Sequence, residues 1–397
     1  MEKHFFPADV LLPKKDFRFF AVIACDQYTS EPEYWEQTAK EIGDNPSALK
    51  LILPEVYLKP DNSEKIAEIN ANMQKYLESD LFKLYPDTYV LTVRTLKNGK
   101  QRKGIVGLID LEDYSYEKGA KTSIRATEQT VVERIPPRVE IRREAPLEIP
   151  HVMLLINDKN ETVIEPLAAK KDSFQKLYDF ELLQQAGKIE GYRVSGTAAD
   201  EINKALAVLK NESNSGFLFA VGDGNHSLAC AKECYKTVGG SRYAMVEVVN
   251  IYDPSLEFEP IYRVLFGVEP EQVIDEFVKY MGGECKSEKS HEYICVYGDI
   301  EKSIRLKAAA KLAVADLQNF LDKYIEKHPS VKIDYIHGKE NLRKLCKDKN
   351  TLGFLFDGMS KEDLFPAVEA DGSLPRKTFS MGCADDKRFY LEARKIK

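Results

Sequence analysis

Phe217-Leu218-Phe219-Ala220-Val221 runs directly into Gly222-Asp223-Gly224-Asn225-His226-Ser227, and the reading of that join decides the fold. A short apolar run bounded by polar residues predicts a buried strand. Leu228 to Val238 then holds neither Gly nor Pro, and Gly239-Gly240 follows it, which predicts a helix with a glycine stop. A strand that turns through two glycines into a helix start makes a phosphate cradle. The glycines let a ligand approach the backbone, the first amides of the helix point outward, and the helix dipole favours an anion. Asn225 or Ser227 suits the helix cap, His226 suits a hydrogen bond or a titrating role, and Asp223 suits a base or a divalent-metal ligand. A plain capped turn explains the glycines equally well, but not the gathering of Asp, Asn, His and Ser at one strand end, where ligand-binding groups collect.

Working outward, Phe19–Cys25, Thr88–Val93, Gly104–Ile109, His151–Ile156, Tyr243–Ile251 and Gly353–Phe356 read as strands. Glu31–Ile42, Ser63–Ser79, Phe174–Ala186 and Asp200–Leu209 carry apolar residues at helical spacing. The fold class expected is mixed α/β. The pattern breaks around Asp253–Pro260 and becomes helix-rich from Pro270, so a soft boundary is placed at residue 268. Residues 1–268 are then the catalytic and phosphate-binding region, and 269–397 are an α/β region packed on it. No internal repeat or Ser/Gly linker separates the parts.

Three further clusters hold chemistry-bearing residues. Ile124-Arg125-Ala126-Thr127-Glu128 through Arg134, followed by Pro136-Pro137-Arg138, combines arginine forks suited to phosphate oxygens with Glu128, a candidate base or metal ligand. Its competing reading is a solvated helix turn with Glu–Arg pairs. Cys25-Asp26-Gln27-Tyr28-Thr29-Ser30 places Asp26 directly after an apolar strand, and Arg376-Lys377-Thr378-Phe379-Ser380 offers cations and hydroxyls.

Composition narrows the function classes. The 397 residues carry 43% hydrophobic and 30% charged side chains, the balance of a globular protein. A formal net charge of -7 disfavours adhesion to the phosphate backbone of nucleic acid. No leader-like apolar segment and no membrane-spanning run occur in this sequence, so a cytoplasmic location is expected. The 7 cysteines are scattered without a Cys-x-x-Cys pair and read as reduced thiols. Cys230 and Cys234 stand one helical turn apart with no second pair to complete a metal site.

Taken together, the Gly222–Ser227 loop, the Arg125–Pro137 segment, Cys25–Ser30 and Lys377–Ser380 resemble the family called domain of unknown function 1015, over nearly the whole chain. That family is similar in turn to the ParB and sulfiredoxin superfamily, whose Gly-x-His-Arg or Gly-x-Arg-Arg turn binds nucleotide phosphates at a helix start. Gly224, Asn225, His226 and Ser227 occupy the matching positions. The resemblance implies a ParB/sulfiredoxin-like phosphate-binding core with added N-terminal and C-terminal α/β elements. It departs at Ser227, where the superfamily usually has arginine, so Arg125, Arg134 or Lys377 would have to supply the missing charge. Sulfiredoxin chemistry fails because its cysteine position holds Asn225, an amide that forms no thiolate. A ParB-like clamp on DNA meets the acidic charge and lacks a basic recognition helix.

The free-serine kinases of the superfamily fit best. The resemblance then implies a phosphotransferase that makes O-phosphoserine from L-serine, with Mg²⁺ and ATP, ADP or pyrophosphate as donor. Gly222, Gly224, Asn225, His226 and Ser227 would cradle the donor, aided by Arg125, Thr127, Arg134 and Lys377. Glu128 or Asp26 would take the substrate proton, and Asp223 would help hold Mg²⁺. The same site run backward would be a phosphoserine-type phosphatase, and without turnover a nucleotide-binding regulator. The small-molecule partners are serine and the donor; a homo-oligomer is left open, and no membrane or nucleic-acid partner is expected.

Overall fold

Alternating burial governs the longest strands. In Phe82–Thr95, Tyr89, Leu91 and Val93 enter one apolar cluster while Val90 enters another. In Tyr243–Asn250, Ala244, Val246 and Val248 face the first cluster and Met245 the second. Successive side chains of a strand point to opposite faces, so this sheet is covered on both sides. Trp35 and Ile42 of the helix Pro32–Ile42, with Ile69, Met73 and Tyr76 of Ser63–Glu78, supply one cover. Ile202 and Leu206 of Thr197–Glu212, with Leu228, Ala229 and Ala231 of Asn225–Val238, supply the other.

A computed structural model describes residues 3–131, 135–285, 287 and 289–397. The sheet has ten strands. Tyr114–Ser115, Ile124–Ala126 and Phe219–Asp223 run parallel, and Met153–Ile156 is antiparallel to Phe219–Asp223 and parallel to Tyr243–Asn250. The rest is an antiparallel meander: Gln101–Asp110, Phe82–Thr95, Lys188–Val194 and Gln175–Glu181, with Ala8–Pro13 also on Phe82–Thr95. The fold is therefore mixed α/β, as read from the sequence.

The chain folds as two compact units: Met1–Ala126 with Thr130–Leu256 and Gly382–Lys397, and Thr127–Gln129 with Glu257–Met381. This division and the one expected at residue 268 differ in three places: the second unit takes in Thr127–Gln129, its main segment starts at Glu257, and Gly382–Lys397 returns to the first. In the first unit the returning segment adds Phe389–Tyr390 to Val22–Ile23 and Arg394–Lys395 to Leu147–Glu148. The second unit holds a six-stranded antiparallel sheet ordered Ile300–Lys307, Ser290–Tyr297, Thr351–Phe356, Phe258–Phe266 and Lys332–His337, with Phe379–Met381 on Phe258–Phe266. Helices Pro270–Tyr280 and Ala313–Lys327 pack on it through Phe277 and Phe320, whose rings stack at 4.8 Å. The expectation of a helix-rich region with one short strand is thus corrected to a sheet.

Phe174–Ala186, expected as a helix, contains the strand Gln175–Glu181. Its apolar residues do recur at helical spacing, but Leu182 donates its amide to the Gly187 carbonyl at 2.8 Å and the chain doubles back as a hairpin. Cross-strand pairing overrides the local pattern here. Phe19–Cys25 is likewise shorter as a strand than expected, with a helical turn Phe17–Phe20 before Val22–Ile23. Among the described residues no helix is long and apolar enough to cross a membrane.

Candidate functional site

Phe219, Ala220 and Val221 are buried between parallel and antiparallel neighbours, and the strand carries Gly222 and Asp223 out to the surface of the first unit. Gly224 then turns with φ 74° and ψ 25° and stands at the N-cap of Asn225–Val238. Only glycine suits this point. A Cβ would sit 3.0 Å from the Val152 Cα and 3.2 Å from the His151 ring, on top of the left-handed conformation. No side chain caps the helix, so neither Asn225 nor Ser227 takes the capping role expected of it. The Asn225 amide instead accepts from the Tyr114 hydroxyl at 2.8 Å and donates to Thr130 Oγ1 at 2.7 Å. His226 Nε2 accepts the Val131 N–H at 3.2 Å.

Beside the loop lies a set of polar groups from distant parts of the chain. Asp223 accepts the Gly224 N–H at 2.9 Å through Oδ1, while Oδ2 lies 3.4 Å from Lys387 Nζ. Arg94 holds the backbone next to that lysine by donating to the carbonyls of Lys387 and Asp385, and Arg102 donates to that of Asp386. Arg388 then fixes the segment with buried ion pairs to Glu247 at 2.6 Å and Glu392 at 2.5 Å, and donates to the Pro150 carbonyl at 3.1 Å. Two residues further on, the Tyr390 hydroxyl lies 2.7 Å from His151 Nδ1 and 3.1 Å from Cys25 Sγ. His151 Nε2 lies 3.8 Å from Asp26 Oδ2, and Gln27 donates to Asp26 Oδ1 at 3.0 Å.

The electrostatics separate these groups by role. Burial would raise the Asp26 carboxyl, but His151, Gln27 and Lys387 together outweigh it and hold Asp26 below the ordinary carboxylate range. Asp26 is therefore an ionised carboxylate close to neutral pH. Burial, with Asp26 next to it, pushes the Cys25 thiol up to about 12, so this cysteine is a protonated hydrogen-bonding group rather than a nucleophile. Burial also drives the Tyr390 phenol well above its usual value, which keeps its proton in place.

Behind the loop the first unit forms a half-open cavity of about 140 Å³. Ser227, His151, Cys25 and Tyr390 line it on the loop side, together with Arg138, which is ion-paired to Glu55.

The remaining expected residues have other partners or fall outside this unit. Arg125 is buried, donating to the Thr122 carbonyl at 2.8 Å and to Ser215 at 3.2 Å, with its guanidinium 4.6 Å from the Phe217 ring centre. Those partners flank the start of the strand Phe219–Asp223, whereas the loop leaves its end. Thr127, Glu128 and Lys377 belong to the second unit, where Glu128 accepts the N–H groups of Lys377 and Thr378, each at 3.2 Å. Burial raises the Glu128 carboxyl against the pull of those two amides. Arg134 lies outside the described residues. Lys387, His151 and Tyr390 escaped the sequence reading. His151, which opens the strand run His151–Ile156, carried the one visible signal, a polar residue at a strand end.

Among the described residues, no group of three or more His, Cys, Asp and Glu is placed to hold a metal ion. Asp223 alone fits Mg²⁺ only in the manner of an ion carried mainly by phosphate oxygens, with one protein carboxylate added.

The family model described as "Protein of unknown function (DUF1015)" matches residues 6–324. No curated protein matches the chain. Solved structures similar to it include a conserved hypothetical protein from Pyrococcus furiosus, at 13% identity and TM-score 0.38 over 73% of this chain and 94% of that one. A free serine kinase in complex with AMP is 12% identical, at TM-score 0.41 over 73% and 90%. SbnI from Staphylococcus aureus, with a C-terminal truncation, is 8% identical, at TM-score 0.40 over 72% and 85%.

Proposed function

The chain belongs to the DUF1015 family, and from that premise we propose that it is a phosphotransferase acting on the hydroxyl of a small amino acid, with L-serine the first acceptor to test. The observation that carries the reading is a helix start without a side-chain cap, behind a positive-φ glycine, with an ionised carboxylate and a lysine from the same unit beside it. Phosphoryl transfer asks chiefly for positioning and charge neutralisation, and these groups supply both.

In this scheme the amides that open Asn225–Val238 receive the phosphates of ATP, ADP or pyrophosphate, and Lys387 neutralises their oxygens. The acceptor oxygen forms a bond to the terminal phosphorus, and the bridging P–O bond breaks with its electron pair left on the departing phosphate. The hydroxyl proton passes to Asp26, which His151 and Gln27 hold in place. Asp26 is preferred to Glu128 as the base, because the turn Lys377–Thr378 already engages both Glu128 oxygens. Bound Mg²⁺ would neutralise donor charge, and Asp223 is the residue that would hold it.

The test is to incubate the purified chain with L-serine, Mg²⁺ and each donor in turn, and to follow phosphoserine by mass spectrometry. Product with one donor is expected. The absence of product with all three ends the serine kinase reading.

A further inference from the structure

L-serine has nothing to put in the cavity behind Ser227. Its deeper walls are aliphatic: Met73, Leu147, Leu228, Ala231, Ala244 and Met245 are each at most 4% exposed. The charged residues on the same wall are already satisfied by one another. Glu148 takes Arg142 on one oxygen and Arg394 on the other, each at 2.6 Å, and its second oxygen also accepts the Met245 N–H at 3.1 Å. An ion pair closed on itself in this way has little left to offer an occupant, so the aliphatic wall is what an occupant meets there. Its volume of about 140 Å³ is close to that of an apolar cavity of about 150 Å³ known to stay dry and take up benzene.

The loop side is polar. The Ser227 hydroxyl has no hydrogen-bond partner among the described residues, whereas the Asn225 side chain on the same turn is fully engaged. Ser227 therefore joins the turn proposed to hold the donor phosphates to the apolar chamber behind it.

We propose that this cavity binds an alcohol bearing an apolar substituent about the size of a benzene ring, with the hydroxyl at Ser227 and the substituent in the chamber. Resting on the phosphoryl-transfer reading, this makes the acceptor a hydroxy amino acid with an apolar arm. The transferred group leaves its polyphosphate donor for that hydroxyl, whose proton goes to Asp26. Ring-sized apolar burial is worth more than one factor of ten in affinity, so discrimination against serine follows from the chamber alone.

The test is calorimetry on the full chain with 3-phenylserine, L-serine and pyrophosphate titrated separately. Phenylserine is expected to bind at least about tenfold tighter than L-serine. Ala231→Phe, which fills the chamber, is expected to abolish that preference while pyrophosphate affinity stays within about twofold. Should this variant not fold, Ala244→Leu narrows the chamber from the sheet side and carries the same expectation. Equal binding of the two amino acids by the unaltered chain, or a preference that survives filling, overturns the proposal. A preference that filling removes, in a chain that does not bind pyrophosphate, upholds the cavity and defeats the transfer reading. Pyrophosphate binding without any preference does the reverse.

Discussion

Asp26 in the first unit and Glu128 in the second are both half-buried carboxylates beside a turn, and the fold treats them in opposite ways. Glu128 accepts two backbone amides from one turn, Lys377 and Thr378, and spends its hydrogen-bonding capacity on holding that turn. Asp26 accepts from its neighbour Gln27, and faces His151 at 3.8 Å and the charge of Lys387. One is tied to backbone amides; the other is surrounded by side chains that can serve a ligand as well. Residue type does not distinguish a base from a brace, but the identity of the partners does.

That contrast can be broken most severely at Asp26 itself. Asp26→Asn is expected to lower the rate of phosphoryl transfer by about 10²- to 10⁴-fold with donor affinity little changed, whereas Glu128→Gln leaves the rate per folded molecule within about threefold. Steady-state kinetics on both variants decides between them, and a large loss at Glu128 with none at Asp26 would reverse the assignment. Next in size is Arg388→Ala, which strands Glu247 and Glu392 without their cation. Breaking a buried pair of this kind costs about 3–5 kcal/mol, read in denaturant unfolding, and the placement of Lys387 should be lost with it. Gly224→Ala tests whether the loop geometry matters as much as the charges around it. The left-handed backbone costs a non-glycine residue about 1–2 kcal/mol, and the close approach of Val152 adds to that.

The smallest effect is also the sharpest comparison, because the two carboxyls respond to pH with opposite sign. Asp26 is held below its unfolded value, so its contribution to stability is present above about pH 4 and is lost as pH falls through the lower folded value. Glu128 is raised by burial, so its contribution is full below about pH 4 and is lost as pH rises through the higher folded value. Unfolding curves between about pH 3 and pH 7 should therefore lose their acid-side slope in Asp26→Asn and gain stability on the neutral side in Glu128→Gln.

How much of this was legible in the chain follows from how local each signal is. The strand, loop and helix from Phe219 to Val238 were readable because the apolar run, the glycines and the helix stop lie within one continuous stretch. Asp26, the proposed base, stood out for the same reason, at the end of an apolar run. Lys387 was not, because nothing near it in sequence marks it; it matters only because Arg94 and Arg102 fasten its backbone beside Asp223. Arg125 misled in the opposite direction. An arginine fork that suits phosphate equally suits the Thr122 carbonyl and Ser215, and local sequence does not say which it will meet. In the second unit only Gly353–Phe356 was read as a strand; Phe258–Phe266 pairs with the distant Thr351–Phe356, while the hairpin of Ser290–Tyr297 with Ile300–Lys307 is local and was missed all the same.

The return of Gly382–Lys397 to the first unit has a consequence for the order in which the protein is made. A ribosome delivers Asp26, His151 and Asp223 early, then must produce all of Glu257–Met381 before Lys387, Arg388 and Tyr390 emerge. A nascent chain therefore carries an unfinished version of the proposed site throughout synthesis of the second unit, and a product cut short anywhere in that unit lacks Lys387, Arg388 and Tyr390 even when its first sheet has formed.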